Sequence, residues 1–421
     1  VFPPVLRPGG CVFEPEHKLR HLAFFDEIAA HDEGDREWRD SVAGLVALRL
    51  VDRWLEEGPT FTTEDTFAVR GVEAAIEEMD AGTPLRILLG RVLNALCERK
   101  PDVHVVVTPL LAYAQQLEFD AKWTLATDVY HSVLAHLHPQ EDTDACVAAH
   151  LRLGSCYRAL NRIPEAMQAY NAATQIATAG GDMVGILRAR VGESAIAILK
   201  GNLPQAQEIL EDTIARATGD SLRDVRSRAL HERASVAKYR GQYELAIRFG
   251  YEALNDSQNP AERDRILADI AGAFVDLGVY SAARDAYLVL SVTALEQYTR
   301  WGATLNLMDL AVQTNSQTLF EHYRRELAPE QLPPFFATAY HLNAGVGHRV
   351  FGSDEAARHQ LQLALAMATE HGFNQLLFDA EEALLDMTKP RMQPQEQSRD
   401  LPLDVQEVAA AIRQMRESVG V

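Results

Sequence analysis

One alanine returns on a fixed step. Ala126, Ala166, Ala206 and Ala246 stand 40 residues apart, and Ala283, Phe320 and Ala357 continue the series at a step of 37. A phrase travels with it. The clearest copy runs Leu153-Gly154-x-x-Tyr157, then Asn161-x-Ile163, then Ala166-x-x-x-Tyr170-x-x-Ala173. The skeleton recurs around Gly201, Leu203, Ala206 and Leu210, around Gly241, Tyr243, Ala246 and Ala253, and around Gly278, Tyr280, Ala283 and Tyr287. Weaker copies end at Ala126 and Tyr130, at Phe320 and Arg324, and at Ala357, Leu361 and Ala364. A period of this length means an array of small units. No unit can bury its apolar face alone, so neighbours must stack.

At 421 residues the chain is too long for one compact core, a limit that an array escapes. A hydrophobic fraction of 47% supports a folded protein, and a net charge of −20 disfavours nucleic acid and anionic membranes as partners. No run of eighteen apolar residues is present, so no spanning helix is expected. Cys11, Cys97, Cys146 and Cys156 are scattered and lack metal or disulfide spacing, which fits a reducing, cytoplasmic setting. The opening Val1-Phe2-Pro3-Pro4 shows no signal-peptide pattern.

The segments divide by composition. Residues 1–17 hold Pro3, Pro4, Pro8, Gly9, Gly10 and Pro15 and read as an extended arm. Residues 18–102 read as a helical N-terminal cap, with helices near 18–31, 36–57, 63–80 and 84–99. Glu57-Gly58-Pro59 is a stop signal, and Thr83-Pro84 places proline at a first helical turn. Residues 103–387 carry about seven helix-turn-helix repeats. Residues 388–401 form a polar linker, and 402–421 a last amphipathic helix with Val405, Val408, Ile412, Met415 and Val419 near one face. That helix is expected either to lie as a lid over the final repeat or to dock on a partner, a second copy of the chain included.

In the copy at 147–178 the small residues Gly154, Ala166 and Ala173 permit close helix approach, and Leu153, Tyr157 and Tyr170 fill the space between. In this pattern the chain resembles the tetratricopeptide repeat (TPR) family. Leu153, Gly154, Tyr157, Ala166, Tyr170 and Ala173 match its motif, as do Gly241, Tyr243, Ala246 and Ala253, and Gly278, Tyr280, Ala283 and Tyr287. The resemblance implies an all-α, right-handed α-solenoid superhelix, here bacterial and with long repeats. Two departures stand out: the period exceeds the family's usual length, and Asn315, Gln317 and Phe320 replace the expected Gly, Tyr and Ala. The second predicts a splayed or kinked pair.

Motifs for chemistry are few. There is no nucleotide loop, Walker lysine, nucleophile elbow or zinc-protease helix. His131, His136 and His138 cluster without completing a ligand set and read as solvated helix-end histidines; His231-Glu232-Arg233 lacks a second histidine. Neither a metal nor another cofactor is expected, nor an enzyme. The family resemblance implies that first helices line a concave groove. There Arg188, Arg228 and Arg265 occupy the same place in three successive repeats, with Arg158, His231, Lys238 and Tyr239 nearby and Ser155, Ala195, Ser235 and Gly272 as a small-residue column. Arginine grips carboxylates in a bidentate fork, so the row fits an acidic protein or peptide; alternatively it pairs with local acids such as Asp224, Glu232, Asp264 and Asp269. The family's chaperone-tail clamp is not matched, since its lysine places hold Leu151, Val191 and Ala268.

The chain thus reads as a protein- or peptide-binding scaffold. The alternatives are a peptide-responsive sensor module of a bacterial signalling or transcription system, or a self-assembling array. Ala166→Leu should overpack one helix pair and lower stability by about 1–3 kcal/mol, read by denaturant titration; a neutral substitution would mean that the repeat register is misplaced.

Overall fold

The computed structural model describes residues 20–58, 62–98, 102–327, 332–387 and 401–420. The proline-rich arm at 1–17 and nearly all of the linker lie outside the described residues. Among those described, the regular elements are helices. They are α1 (Leu22–Ala30), α2 (Arg36–Glu57), α3 (Thr63–Glu78), α4 (Pro84–Leu96), α5 (Val103–Phe119), α6 (Trp123–His136), α7 (Thr143–Ala159), α8 (Ile163–Gly180), α9 (Met183–Leu199) and α10 (Leu203–Arg216). After a 3₁₀ turn come α11 (Arg223–Tyr239), α12 (Tyr243–Asp256), α13 (Pro260–Leu277), α14 (Tyr280–Thr293), α15 (Gln297–Gln313), α16 (Gln317–Glu326), α17 (Pro334–Val350), α18 (Asp354–His371), α19 (Asn374–Asp386) and α20 (Leu403–Val419).

The chain forms two compact units, residues 1–196 and 197–421. The division falls inside α9, so the start of the repeats near residue 103 lies within the first unit. The physical reason is that α4 packs on α5 just as α5 packs on α6, so the N-terminal helices and the first repeats share one core.

The turn inside each helix pair is set by one backbone geometry. Ala121, Asn161, Gly201, Gly241, Gly278, Asn315 and Gly352, on the repeat's own 40- and 37-residue steps, all have positive φ between 53° and 89°. The next residue's N–H reaches back five residues: Arg162 to Tyr157 O, Asn202 to Ala197 O, Gln242 to Ala237 O and Ser353 to His348 O, at 2.7–2.9 Å. Lys122, Val279 and Ser316 do the same. This left-handed closure satisfies carbonyls that the helix end would leave bare. Glycine adopts it without penalty and asparagine tolerates it.

Beyond the turn, volumes interlock. Ala126, Ala166, Ala206, Ala246, Ala283 and Ala357 are all buried. Tyr170 slots its ring between two glycines: an added Cβ at Gly154 would lie 2.7 Å from it, and one at Gly192 would overlap it. The copy expected to splay does not. Phe320, in the alanine column, is fully buried, because α17 presents Gly347 where earlier copies hold Ile196, Val236, Ala273 and Leu310. A Cβ on Gly347 would overlap the Phe320 ring. The bulk has moved from one helix to its neighbour, and α15 and α16 still pack as a pair.

The last helix corrects the expectation of a lid. α19 packs on α17 and α18, whereas α20 turns back to lie on α14 and α12. Val405, Val408 and Ile412 are buried there and Met415 is partly buried against the same core. An oligomer through these four residues therefore cannot form while α20 stays seated.

Ala121 is the one alanine among seven left-handed positions, and αL costs an L-residue about 1–2 kcal/mol, more than the extra chain entropy glycine loses. Ala121→Gly should raise the melting temperature of the first unit by about 1–3 °C, followed by calorimetry; a lowered value would contradict this account of the turn.

Candidate functional site

In the first unit the polar residues gather around Asp52, on α2. Its Oδ1 accepts from Ser132 Oγ at 2.6 Å and lies 3.0 Å from His136 Nε2, both on α6; its Oδ2 lies 3.0 Å from His21 Nε2 and 3.3 Å from Arg20. His136 is thus not a solvated helix-end residue, because its side chain is 5% exposed and tied to a carboxylate. His131 meets the Tyr157 hydroxyl at 2.7 Å, while His138 is exposed. The Ser132 hydroxyl donates to a carboxylate, not to a histidine, so this is a brace between α2, α6 and the start of α1 and not an activated nucleophile. Among the described residues, no three His, Cys, Asp or Glu side chains converge as a metal site.

The expected arginine row is divided. Arg158, on α7, is half-buried, and Arg188, on α9, is exposed; both belong to the first unit. Arg228 and Arg265 belong to the second. On α11 the cations meet acids of α13: Arg228 Nε lies 3.4 Å from Glu262, His231 Nε2 lies 2.7 Å from Asp269, and Lys238 Nζ lies 3.3 Å from Asp276. Of the four local acids named from sequence, Asp269 takes part in this ladder, whereas Asp264 accepts from the Leu295 amide at 2.9 Å. The small residue Gly272 makes room for the chain's own Lys238, whose Nζ would stand 3.1 Å from an added Cβ. Two of the named residues remain open: Tyr239 is 69% exposed, and Arg265 is exposed with no described ion-pair partner.

On the first helices that follow α13, the structure places a feature that the repeat pattern did not reveal. α13 touches α15, and α15 touches α17. Tyr298 and Trp301, in the first turns of α15, meet edge to face at 5.6 Å. Both contact Phe336 of α17, at 5.7 and 5.8 Å between ring centroids. Phe336 continues to Phe335, Phe335 to Phe373, and Phe373 stacks on His371 at 5.5 Å. Tyr298 and Phe335 are about half exposed. Gly302, one repeat step after Arg265, opens a notch in the shelf, since the nearest atom to an added Cβ there is Phe336 at 3.9 Å. Asn306, one turn further along α15, is exposed, and Asn343 on α17 donates to Leu305 O at 3.2 Å. A sequence signal did exist: aromatic residues make up only 7% of the chain, yet the starts of α15 and α17 and the residue just before α19 carry them here.

Paired helices, left-handed turns and a buried alanine column define a TPR-like, all-α helical repeat protein. No family model matches the chain, and no curated protein matches it. Among solved structures it is similar to the apo form of the quorum sensor NprR from B. thuringiensis, at 12% identity over 79% of this chain and 99% of that one, with a TM-score of 0.46. It is also similar to a Rap protein complexed with competence and sporulation factor, at 12% identity over 79% and 98%, TM-score 0.43. A third is the Rap conjugation gene regulator of the plasmid pLS20 in complex with the Phr* peptide, at 13% identity over 90% and 98%, TM-score 0.42. Among the described residues no helix is long and apolar enough to cross a membrane.

Burial alone would push the Asp52 carboxyl up, but hydrogen bonds from His136, His21 and Ser132 outweigh it and hold the group well below the usual carboxylate range. A depressed folded value gives stability that is complete above the unfolded pKa, about 3.9, and is lost as pH falls below it. Asp52→Asn should therefore lower stability at pH 7 by about 3 kcal/mol and flatten the acid limb of the melting curve. An unchanged acid limb would remove Asp52 from that role.

Proposed function

We propose that the chain is a binding platform and not a catalyst, and that it takes an extended protein or peptide segment along the first-helix face of its second unit. The supporting observation is the aromatic shelf of Tyr298, Trp301, Phe335 and Phe336 on α15 and α17, with Arg265, exposed and without a described ion-pair partner, on the adjoining α13. The half-exposed rings of Tyr298 and Phe335 are surface that water solvates poorly and a ligand's apolar side chains would cover. Covering about 80 Å² on each exposed ring would contribute roughly 2 kcal/mol per ring. Arg265 would orient the segment by a forked contact to one carboxylate, and Asn306 offers a donor and an acceptor to its main chain. Arg228, His231 and Lys238 would form the wall of this site, with Tyr239 as a further apolar contact. Arg158 and Arg188 would line the first unit's own first-helix face. The ligand is thus a peptide that pairs an aromatic or aliphatic residue with an acidic one. No cofactor enters this reading, and its setting is the cytoplasm.

A second reading, a peptide-responsive regulatory module, is favoured by the four helices α1–α4, which stand outside the repeat period and offer a separate output surface. Binding is common to both.

A displayed library of linear peptides, selected on the full chain, should return sequences joining a large apolar residue to Asp or Glu. Arg265→Glu should cut binding of the selected peptides at least tenfold and reverse the preference for acid. Tyr298→Ser with Phe335→Ser should cut it as far without changing the acid preference. Melting temperatures should stay near wild type in both variants. Selection without a consensus, or peptides indifferent to both variants, would reject the proposal.

A further inference from the structure

The C-terminal helix makes a contact that looks like recognition. α20 follows α19 in the chain but sits on α14 and α12. Its buried row, Val405, Val408 and Ile412, has the three- and four-residue spacing of one helix face. Charge matches at both ends. Arg416 Nη1 donates to Asp285 Oδ1 at 2.8 Å, and Arg413 Nε lies 3.8 Å from Oδ2 of the same carboxylate. At the other end, Arg248 of α12 lies 3.0 Å from Asp404. The Asp285 side chain is 4% exposed, and Arg413 and Arg416 are its described ion-pair partners. A buried carboxylate deprived of both would be strongly unfavourable, so the face cannot accept just any apolar helix. It asks for an apolar row followed by two arginines three residues apart.

We infer that the α12/α14 face is a helix-binding site in its own right, that α20 is its tethered ligand, and that the site takes the α20 of a second copy when the resident helix is weakened. This site is separate from the aromatic shelf and does not depend on the function proposed above. The second copy is the fitting occupant because every copy carries both halves of the contact. Residues 388–400 supply the connection. Thirteen residues reach at most about 45 Å whatever their path, which keeps α20 near its own site at an effective concentration of millimolar order. At micromolar protein the cis contact therefore wins, and the wild-type chain holds its own helix. Exchange appears when the cis contact is spoiled but an intact half remains on each of two different copies.

Two full-length variants test this. Arg413→Glu with Arg416→Glu spoils the helix and keeps the face. Asp285→Arg spoils the face and keeps the helix. Each alone should stay monomeric at 50 μM or so, whereas an equimolar mixture should give a 1:1 heterodimer by light scattering, with a dissociation constant at least a hundredfold below the millimolar tether concentration. Combining all three substitutions in one chain should restore the cis contact with reversed charge and leave that variant monomeric. A mixture that stays monomeric while both variants keep their helical circular dichroism overturns the inference. Asp285→Asn stands in for the face variant should the arginine prevent folding. If every variant unfolds, α20 is core of the second unit and not a ligand, which overturns the inference as well.

Discussion

The array depends on a bend of one residue. At the end of each first helix a single left-handed position, closed by an N–H reaching back five residues, sets the direction in which the second helix returns. A helix cannot reverse without such a stop, because its terminal carbonyls need partners and its side chains need a fixed exit angle. Once that angle is repeated, the same side-chain positions meet in every pair. The requirement is conformational and not chemical, which is why Gly, Asn and one Ala fill it. It also explains how the period can shorten from 40 to 37 without loss of the fold: the steps change between pairs, whereas the closure inside each pair stays the same.

Packing follows from that bend as conservation of volume across facing helices, not as identity of residues. Tyr170 fits because Gly154 and Gly192 withdraw on either side, and Phe320 fits because Gly347 withdraws on the next helix. Interiors at crystal-like density leave little slack, so bulk added on one helix must be removed from its neighbour. A mismatch of one ring against one Cβ would otherwise have opened the pair at α15 and α16, as the residue pattern taken alone predicts.

Repeats, helix bounds and turns were legible in the sequence because each is local: a period, a cap, a left-handed residue. What escaped is non-local. Asp52 draws on His21, Ser132 and His136, which lie 31, 80 and 84 residues away. Asp285 draws on Arg416 at a separation of 131. No periodicity carries such pairs, since they arise only once the stack has brought distant helices side by side. For the candidate site the sequence named residues on α11 and α13, but not which cation would be spent on a neighbour. That choice depends on side-chain reach across α11 and α13.

The ladder between those helices bears on the kind of ligand proposed for this face. Arg228 lies against Glu262, whose side chain is only 11% exposed. Drawing Arg228 onto a ligand would leave that carboxylate poorly solvated and unpaired, a cost that a single half-exposed ion contact would not offset. His231 and Lys238 face more exposed acids, so their pairs are weaker but also more screened. Arg265 has no such partner among the described residues. With net charge at −20, long-range attraction does not favour an acidic partner, and one free guanidinium cannot reverse that. In the proposed function affinity would then come from the rings, which are indifferent to charge and salt, while Arg265 would set orientation and select for a carboxylate at one position. Binding of this kind should weaken little as salt rises, unlike binding carried by an arginine row.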